Sequence, residues 1–274
     1  MTMLSPAQIA WDAERARAWH LFLPPARPSP GEVAIYERAL RQELDRRVPE
    51  CLLLGSTPEL RSLAHRHGCP LRCVDRNGEV FRILAGMVEP SGPEEFQECD
   101  WLEMPDGPTA DVVFADGSMN MLPLARHVPF LDKLRAAVRP GGLAMLRVHL
   151  LRAPRFADAE AVFEWYRRRP RPAAVFSTTR THLDMLWMDR ERQAVDFVDV
   201  HGRLRALHER GAIHNDEFEA YDRLVAFNRI TLHYARRRDF ERDVQRRFRI
   251  EGVVRGRDYA ADEQHPVYLL RRVT

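Results

Sequence analysis

Between residues 51 and 150 the chain alternates short apolar runs with stretches of helical periodicity. The five candidate strands read CLLL, LRCVD, EEFQECD, DVVFAD and LAMLRVHL, and each has the length of a single strand. Three intervening stretches predict helices: TPELRSLAHRHG, GEVFRILAGM and VPFLDKLRAAVRPGG, the last of which ends at its glycines. Because strands joined by helical crossovers run parallel and need cover on both faces, this order predicts a doubly wound α/β domain.

Residues 1–48 predict two helices before this core. Four residues of the first helix recur at helical spacing: Trp11, Ala18, Trp19 and Phe22. A proline-rich run follows, and the second helix is predicted to be capped by Ser29 and opened by Pro30.

Residues 151–246 predict a predominantly helical insertion. Its candidate helices are FADAEAVFEWYRRR, RTHLDMLWMDRERQA, DVHGRLRALHERG and one long helix, NDEFEAYDRLVAFNRITLHYARRRDFERDVQRR. Two strands, RFRIEGVVRGR and HPVYLLRRV, are then predicted to pair as a hairpin at the sheet edge. This divides the chain into an N-terminal helical lid (1–48), a core (49–150), the insertion (151–246) and a terminal hairpin (247–274).

The charge balance and apolar content predict a soluble globular protein. Of 274 residues 45% are apolar, and 42 basic residues against 40 acidic ones leave a net charge of +2. This balance argues against a nucleic-acid partner bound through bulk charge, although a local basic groove stays open. Lys133 is the only lysine, and we attribute this bias to a high-GC coding habit rather than to a binding surface.

The sequence predicts a cytoplasmic protein without a membrane partner. No run of about twenty apolar residues is present. The N-terminal stretch MTMLSPAQIAWDAERARAWH is amphipathic and contains acidic residues, unlike an export signal. Cys51, Cys69, Cys73 and Cys99 are too few for a disulfide framework in a chain of this size, and we expect them to be reduced.

Two clusters of residues resemble a zinc site and a nucleic-acid-binding patch, but each has a simpler structural explanation. The stretch HRHGCPLRC brings His65, His67, Cys69 and Cys73 close together, but it lacks the paired spacing of a zinc site. Small buried hydrophobes in neighbouring strands explain its cysteines, and we predict no metal site. The run ARRRDFERDVQRR carries interleaved acids, so it is better interpreted as the solvated face of a helix than as a nucleic-acid patch.

The first strand is followed by the turn GSTPE, where a parallel sheet presents its ligand site. Gly55 permits a positive φ or a close approach of the backbone to a ligand. We expect Thr57 to cap the next helix, with Pro58 and Glu59 in its first turn. Neither GxGxxG nor GxxxxGK[ST] occurs in the chain, so a pyrophosphate cradle and a nicotinamide dehydrogenase are disfavoured.

The second strand ends in Asp75, twenty residues after Gly55. A carboxylate at this position accepts hydrogen bonds from the hydroxyls of a ribose in doubly wound folds, which makes Asp75 a candidate for binding an adenosine-like ligand. The alternative is that Asp75 caps the helix beginning near Asn77.

The order of CDWLEMP, ADVVFADGSMNMLP and VRPGGLAML after this strand resembles the class I S-adenosylmethionine-dependent methyltransferases. The resemblance covers Cys51 to Leu150, and the terminal hairpin agrees with the sixth and seventh strands of that family. It implies a Rossmann-like, mostly parallel seven-stranded sheet and S-adenosylmethionine as cofactor, with S-adenosylhomocysteine as product. The implied cofactor residues are Gly55, Ser56 and Thr57 at the methionine, Asp75 and Arg76 at the ribose, Asp100 and Trp101 at the adenine, and Asp116, Gly117 and Ser118 near the methyl group.

The turn departs from the family pattern at three positions. Leu53, Thr57 and Glu59 stand where an acidic residue and further glycines are usual. The ammonium group of the cofactor would then depend on Glu59, Asp116 or a backbone carbonyl.

The resemblance implies methyl transfer to oxygen or nitrogen of a small molecule by in-line displacement. His149, at the end of the fifth strand, and Asn120, in the loop facing the methyl group, are the candidate catalytic residues, with His127 a weaker candidate base. Each has a structural alternative, which is backbone contact for His149 and an Asx turn for Asn120. A catalytically silent cofactor-binding scaffold is the alternative function, and a homodimer stays open.

The insertion is expected to build acceptor selectivity. Its large side chains are Trp165, Tyr166, Phe176, Met185, Trp187, Met188, Tyr221 and Phe227. Most of them should form the core of the added helical layer, and some are expected to line an acceptor pocket. The N-terminal helix with Trp11 and Trp19 is predicted to be a lid over the same opening.

Overall fold

The computed structural model describes residues 6–107, 109–169, 174–225 and 229–273, and for residues 6–11 and 225 it describes the backbone. The strands are β1 Cys51–Leu54, β2 Leu71–Asp75, β3 Glu94–Glu98, β4 Ala110–Asp116, β5 Val138–Arg147, β6 Leu150–Leu151, β7 Ala194–Asp196, β8 Thr231–His233, β9 Ala235–Arg236, β10 Arg249–Val254 and β11 Val267–Arg271. The α-helices are α1 Pro6–Arg17, α2 Pro30–Leu44, α3 Pro58–Arg66, α4 Gly78–Ala85, α5 His127–Ala137, α6 Ala159–Arg167, α7 Val175–Trp187, α8 Phe197–Glu209, α9 Asn215–Val225 and α10 Arg237–Gln245. Within these ranges no helix is long and apolar enough to cross a membrane.

Seven strands form one sheet in the order β3-β2-β1-β4-β5-β11-β10. Strands β1 to β5 run parallel, and β11 is antiparallel to both β5 and β10. The prediction of a doubly wound, mostly parallel seven-stranded sheet is confirmed, and the terminal hairpin extends its edge. Because the chain winds outward in both directions from β1, the strand order reverses between β1 and β4, where such sheets bind ligands.

The central strand explains why this sheet is covered on both faces. All four residues of β1 are buried, with Leu52 and Leu54 in one apolar cluster and Cys51 and Leu53 in the other. Helices α5 and α10 contribute to the first cluster, and α2 and α3 contribute to the second. A strand that alternates its side chains between two helical layers must be apolar throughout, as CLLL is.

The start of α2 is as predicted. Ser29 accepts a hydrogen bond from the backbone of Glu32, while the Glu32 carboxylate accepts one from the backbone of Ser29. This capping box precedes Pro30 at the first helical position.

The predicted single long helix from Asn215 onward is wrong. Helix α9 ends at Val225, β8 and β9 follow, and α10 forms only at Arg237. The segment around Thr231 pairs antiparallel with β7, with Leu232 opposite Val195. The run ITLHY is rich in β-branched and aromatic residues, which favour a strand when a partner strand is available. That partner, β7, is distant in the chain.

Two further helix boundaries differ from expectation. Helix α1 ends at Arg17, so Trp19 belongs to a separate short 3₁₀ turn. Helix α5 ends at Ala137 rather than at the glycines, which lie inside β5. A Cβ on Gly142 would lie 2.7 Å from the carbonyl oxygen of Asp111, so glycine lets β5 pass close to β4 at this point.

The insertion and the N-terminal segment together form a third hydrophobic cluster, separate from the two that cover the sheet. Phe22 packs in one cluster with Phe163 of α6, Phe176 of α7 and Tyr221 of α9. The N-terminal segment therefore lies against the insertion as well as against the α/β core.

Candidate functional site

A cavity opens at the carboxyl ends of β1, β2 and β4, at the reversal of strand order. The volume of the cavity that the centre of a water molecule can occupy is about 210 Å³. All ten residues predicted to bind the cofactor line it: Gly55, Ser56, Thr57, Asp75, Arg76, Asp100, Trp101, Asp116, Gly117 and Ser118. His149 lines it as well, whereas Asn120 and His127 lie outside the lining.

The turn after β1 leaves space at Gly55. Gly55 has a φ of +124°, which favours glycine, and a Cβ built there would meet no atom within 4 Å. Thr57 precedes α3, but its side chain makes no capping hydrogen bond, so its predicted capping role is wrong. Pro58 already fixes the first turn, and the Thr57 side chain lies at the cavity instead.

The carboxylate of Asp75 lies at the cavity beside this turn. Ser56 Oγ donates a hydrogen bond of 3.0 Å to Asp75 Oδ2. Burial raises the pKa of Asp75 to about 6, with Ser56 and backbone N–H groups opposing the shift. The helix-capping alternative is filled by Asn77, whose Oδ1 accepts from the backbone of Glu79 and Val80 at 3.1 and 3.2 Å.

The loop after β3 forms a flat apolar wall. Trp101 Nε1 donates a hydrogen bond of 2.8 Å to the carbonyl of Val74, and its ring packs edge-on against Phe130. Asp100 Oδ1 accepts from the backbone of Leu102 at 2.9 Å and so fixes the short 3₁₀ helix that carries Trp101. Since the indole N–H is already bonded, Trp101 offers the cavity an apolar ring.

Asp116 is engaged by an arginine that the sequence analysis did not identify. Arg147 donates to Asp116 Oδ1 from Nε at 2.5 Å and to Oδ2 from Nη2 at 3.0 Å. Arg147 also lies 3.3 Å from Glu32, whose Oε1 accepts from Tyr259 at 2.6 Å. Tyr36 donates to Asp116 at 3.2 Å. An arginine ending the otherwise apolar run LAMLR was the available signal, because buried charges require partners.

The loop after β4 is held by its polar side chains. Gly117 adopts a left-handed φ of +67°, and Ser118 Oγ donates to the carbonyl of Leu54 at 2.7 Å. Asn120 Nδ2 donates to the carbonyls of His149 and His233 at 2.8 and 2.6 Å, while its Oδ1 accepts from the His149 backbone at 2.9 Å. Asn120 thereby joins three chain segments, and these long-range contacts differ from the local Asx turn given as its structural alternative.

His149 is a buried histidine at the cavity. Burial, and then the neighbouring His265, lower its pKa well below the usual range, so its imidazole is neutral at pH 7. The two rings meet edge to face with centroids 4.5 Å apart. His127 lies behind the loop, where its Nε2 donates to the carbonyl of Leu122 at 2.9 Å and burial lowers its pKa to about 4.

The N-terminal helix and the insertion complete the cavity. Asp12, Arg15 and Trp19 line it from the N-terminal side, where α1 packs against α4. Arg180 and Leu232 line it from the insertion. In the sequence Arg15 interrupts the apolar face of the first helix, whereas nothing marked Arg180, because which insertion residues reach the cavity depends on how the insertion folds over the core.

Among the described residues, the large side chains proposed for an acceptor pocket do not line this cavity. Phe227 and the side chain of Trp11 lie outside the described residues. The seven others form or border the insertion core: Trp165, Tyr166, Phe176, Met185, Trp187, Met188 and Tyr221. None of these seven lines the cavity, and the expectation that some of them line an acceptor pocket stays a prediction.

The described residues contain no group of three or more His, Cys, Asp or Glu side chains that could hold a metal ion. The four cysteines are free.

Solved structures show the same fold at low sequence identity. A candidate Zn-dependent alcohol dehydrogenase from Rhodobacter sphaeroides is 18% identical, with a TM-score of 0.59 over 96% of this chain and 98% of that chain. The N-methyltransferase NodS from Bradyrhizobium japonicum WM9, in complex with S-adenosyl-L-homocysteine, is 10% identical, with a TM-score of 0.51 over 95% and 98%. The 1,6-didemethyltoxoflavin-N1-methyltransferase of Burkholderia thailandensis, with bound 1,6-didemethyltoxoflavin and S-adenosylhomocysteine, is 11% identical, with a TM-score of 0.51 over 100% and 93%.

No protein-family model and no curated protein matches the sequence. Identities this low establish the fold alone, which is the Rossmann-like fold of class I S-adenosylmethionine-dependent methyltransferases.

Proposed function

We propose that the protein binds S-adenosylmethionine in this cavity and transfers its methyl group to oxygen or nitrogen of a small molecule. The observation that carries this proposal is the meeting of Asp75 and the open Gly55 turn at one cavity, at the reversal of strand order. The likeness of the fold to methyltransferases seen with S-adenosylhomocysteine supports it.

The cavity residues suit the parts of this cofactor. The Asp75 carboxylate accepts hydrogen bonds from the ribose hydroxyls, and Ser56 holds it in position. The Trp101 ring, with Val80 and Leu84 nearby, forms an apolar surface for the adenine. The space at Gly55 admits the methionine part.

The cofactor's ammonium group has few free carboxylates to contact. Asp116 is bonded to Arg147, and Glu59, whose Oε1 pairs with Arg27 and accepts from Trp19 at 3.2 Å, lies outside the cavity lining. Of the three candidates named from the sequence, backbone carbonyl groups therefore remain. We propose that carbonyl groups of the turn bind the ammonium group.

When bound, S-adenosylmethionine supplies a methyl group already activated by its sulfonium. The protein then has to align the acceptor and exclude water, and such orientation contributes about 7–11 kcal/mol to lowering a barrier. His149 is neutral and lines the cavity, so it can accept a hydrogen bond from an acceptor hydroxyl or amine. Its lowered pKa makes it a weak base, which suits an amine that arrives neutral.

Calorimetry with S-adenosylhomocysteine tests the proposal. We expect micromolar binding to the wild type and loss of that binding in Asp75→Ala. Asp132→Ala, which removes an exposed carboxylate paired with Arg247, is the matched control and should bind like the wild type. No heat from either S-adenosylmethionine or S-adenosylhomocysteine at millimolar concentration would refute the proposal.

A catalytically silent scaffold is the second candidate, favoured by Leu53 and by the engagement of Asp116 with Arg147. Binding without cofactor consumption across varied amine and hydroxyl acceptors would support it. A dehydrogenase like the one named for the Rhodobacter protein would call for a zinc donor set, and the described residues provide no such cluster. Fluorescence titration with NADH tests that activity directly.

A further inference from the structure

Arg180 is a buried arginine that lines the cavity from the insertion side. It lies on α7, is 2% exposed, and reaches the cavity near Ile230 and Leu232. Its guanidinium carbon lies 5.2 Å from the ring centroid of Phe176 and 4.2 Å from that of Phe197. These two rings hold the guanidinium in place by cation–π contact.

The guanidinium is only partly satisfied by the protein. Arg180 Nε donates to Asp184 Oδ2 at 3.0 Å, and the same oxygen accepts from Tyr234 at 2.7 Å. Arg180 Nη1 is buried and has no hydrogen-bond partner within the described part of the chain. A buried charged donor left without a partner costs about 1–3 kcal/mol or more, and this donor belongs to a residue that lines the cavity, which makes Arg180 a candidate ligand contact.

A second guanidinium lines the same cavity. Arg15 Nε is likewise buried without a partner among the described residues. Burial lowers the pKa of Arg15, and the charge of Arg180 lowers it further, while Asp12 and Asp75 oppose the shift. The two cations repel each other, and an anion bound between them would relieve that repulsion.

An anion held by Arg180 would lie on the side of the cavity that the insertion forms, where the methyl acceptor is expected to bind. The proposed cofactor residues lie on loops of core strands, whereas Arg180 and Leu232 belong to the insertion. Arg180 also lies within electrostatic range of His149, the proposed contact of the acceptor.

We propose that Arg180 binds a carboxylate of the methyl acceptor, so that the acceptors are small carboxylic acids with an apolar body. The inference rests on the proposed function and names its substrate class. The planar guanidinium matches a carboxylate, and the apolar side chains of Ile230 and Leu232 suit the rest of such a molecule.

The test uses the full-length protein saturated with S-adenosylhomocysteine. Ligand-observed NMR titrations measure the binding of acetate, butyrate and benzoate, each beside its neutral amide: acetamide, butyramide and benzamide. On the wild type we expect at least one carboxylate to bind roughly 10- to 100-fold more tightly than its amide, the ratio for one or two charge-assisted hydrogen bonds.

The test variant removes both members of the buried pair, Arg180→Met with Asp184→Asn, so that no buried carboxylate is left unpaired. It should reduce the preference to within about twofold, while Arg180→Lys should keep part of it. The matched control is Arg61→Met with Glu94→Gln, which removes a buried ion pair away from the cavity and should leave the preference unchanged.

Three outcomes would overturn the proposal. One is that no carboxylate binds better than its amide, and another is that the preference survives in the Arg180 and Asp184 variant. The third is that this variant weakens S-adenosylhomocysteine but not methylthioadenosine, because Arg180 would then bind the cofactor's carboxylate. Failure of the wild type to bind S-adenosylhomocysteine is a separate result, which would overturn the proposed function and this inference with it.

Discussion

Arg147 and Asp116 end neighbouring parallel strands in register and form a two-point ion pair, with Nε–Oδ1 at 2.5 Å and Nη2–Oδ2 at 3.0 Å. Both side chains are nearly inaccessible, and Glu32 adds a second buried carboxylate 3.3 Å from Arg147. One cation therefore balances two anions at the end of the sheet.

We expect Arg147→Met to lower the free energy of unfolding by about 3–5 kcal/mol, because it leaves Asp116 and Glu32 as buried charges without a cation. Asp116→Asn should cost less, since Arg147 keeps Glu32 and the carbonyl of Pro25 as partners. Urea denaturation measures both. The exposed pair of Arg168 with Glu164 provides the control, and Arg168→Met should cost no more than about 1 kcal/mol. Equal losses for Arg147→Met and Arg168→Met would contradict this account.

Asp75→Asn should separate ligand binding from stability. Without the carboxylate, S-adenosylhomocysteine should bind roughly 10- to 100-fold more weakly, the effect of losing charge-assisted hydrogen bonds. Above pH 6 the unliganded variant should be at least as stable as the wild type, because burial raises the pKa of Asp75 and so disfavours its charged form. Calorimetry and thermal unfolding of the same samples measure the two effects, and a variant that lost stability but kept its affinity would refute the assignment.

The affinity for S-adenosylhomocysteine should depend on pH through Asp75. Its carboxyl group has a pKa of about 6 in the folded protein, and the ionised form accepts hydrogen bonds from the ribose hydroxyls more strongly than the protonated form. Affinity should therefore be constant above pH 7 and fall as the pH drops through 6. The contribution of Asp75 to folding stability changes with pH in the opposite direction. It decreases as the pH rises from 3.8 to about 6, because over this range the folded protein keeps the proton that the unfolded chain has lost. Calorimetry from pH 5 to 8 should show this fall in the wild type and a flat profile in Asp75→Asn.

The strand-end positions could be predicted because they follow from local pattern. The apolar run CLLL must end where Gly55 begins the turn, and LRCVD must end in Asp75, whichever strand lies beside them. The side-chain partners at these ends could not be predicted in the same way. Asp116 is bonded to Arg147 because β4 and β5 pair in a register that places the two residues side by side. This register cannot be read from the sequence.

The insertion was predicted least well because its contacts are distant in sequence. β7 and β8 pair across the whole of α8 and α9, so helical periodicity alone extended α9 too far. Arg180 lies on a helix whose residues are buried almost throughout, and only the packed structure shows that it lines the cavity.

Asn120→Ala should destabilise the protein although Asn120 lies outside the cavity lining. The change leaves the backbone N–H of His149 and the carbonyls of His149 and His233 without their partner. Each unsatisfied buried group costs about 1–3 kcal/mol, so we expect a total loss of at least about 2 kcal/mol in chemical denaturation. Asn120→Asp keeps one acceptor but neither donor and should be no better. Wild-type stability in both variants would show that these hydrogen bonds contribute little.

His149 should make the protein sensitive to acid. Burial depresses its pKa well below 6.5, so below that pH the unfolded state takes up a proton that the folded imidazole refuses. Stability from this group is complete above pH 6.5 and decreases as the pH falls, by about 1.4 kcal/mol per pH unit. Buried carboxyl groups with raised pKa values act in the opposite direction, so the difference between wild type and His149→Gln isolates the histidine. The stability of the wild type relative to His149→Gln, measured by urea denaturation, should decrease as the pH falls from 6.5 to 5 and approach that slope toward pH 5, and the His149 ring NMR signals should not shift there. A difference that is independent of pH would show that His149 is protonated as readily in the folded protein as in the unfolded chain.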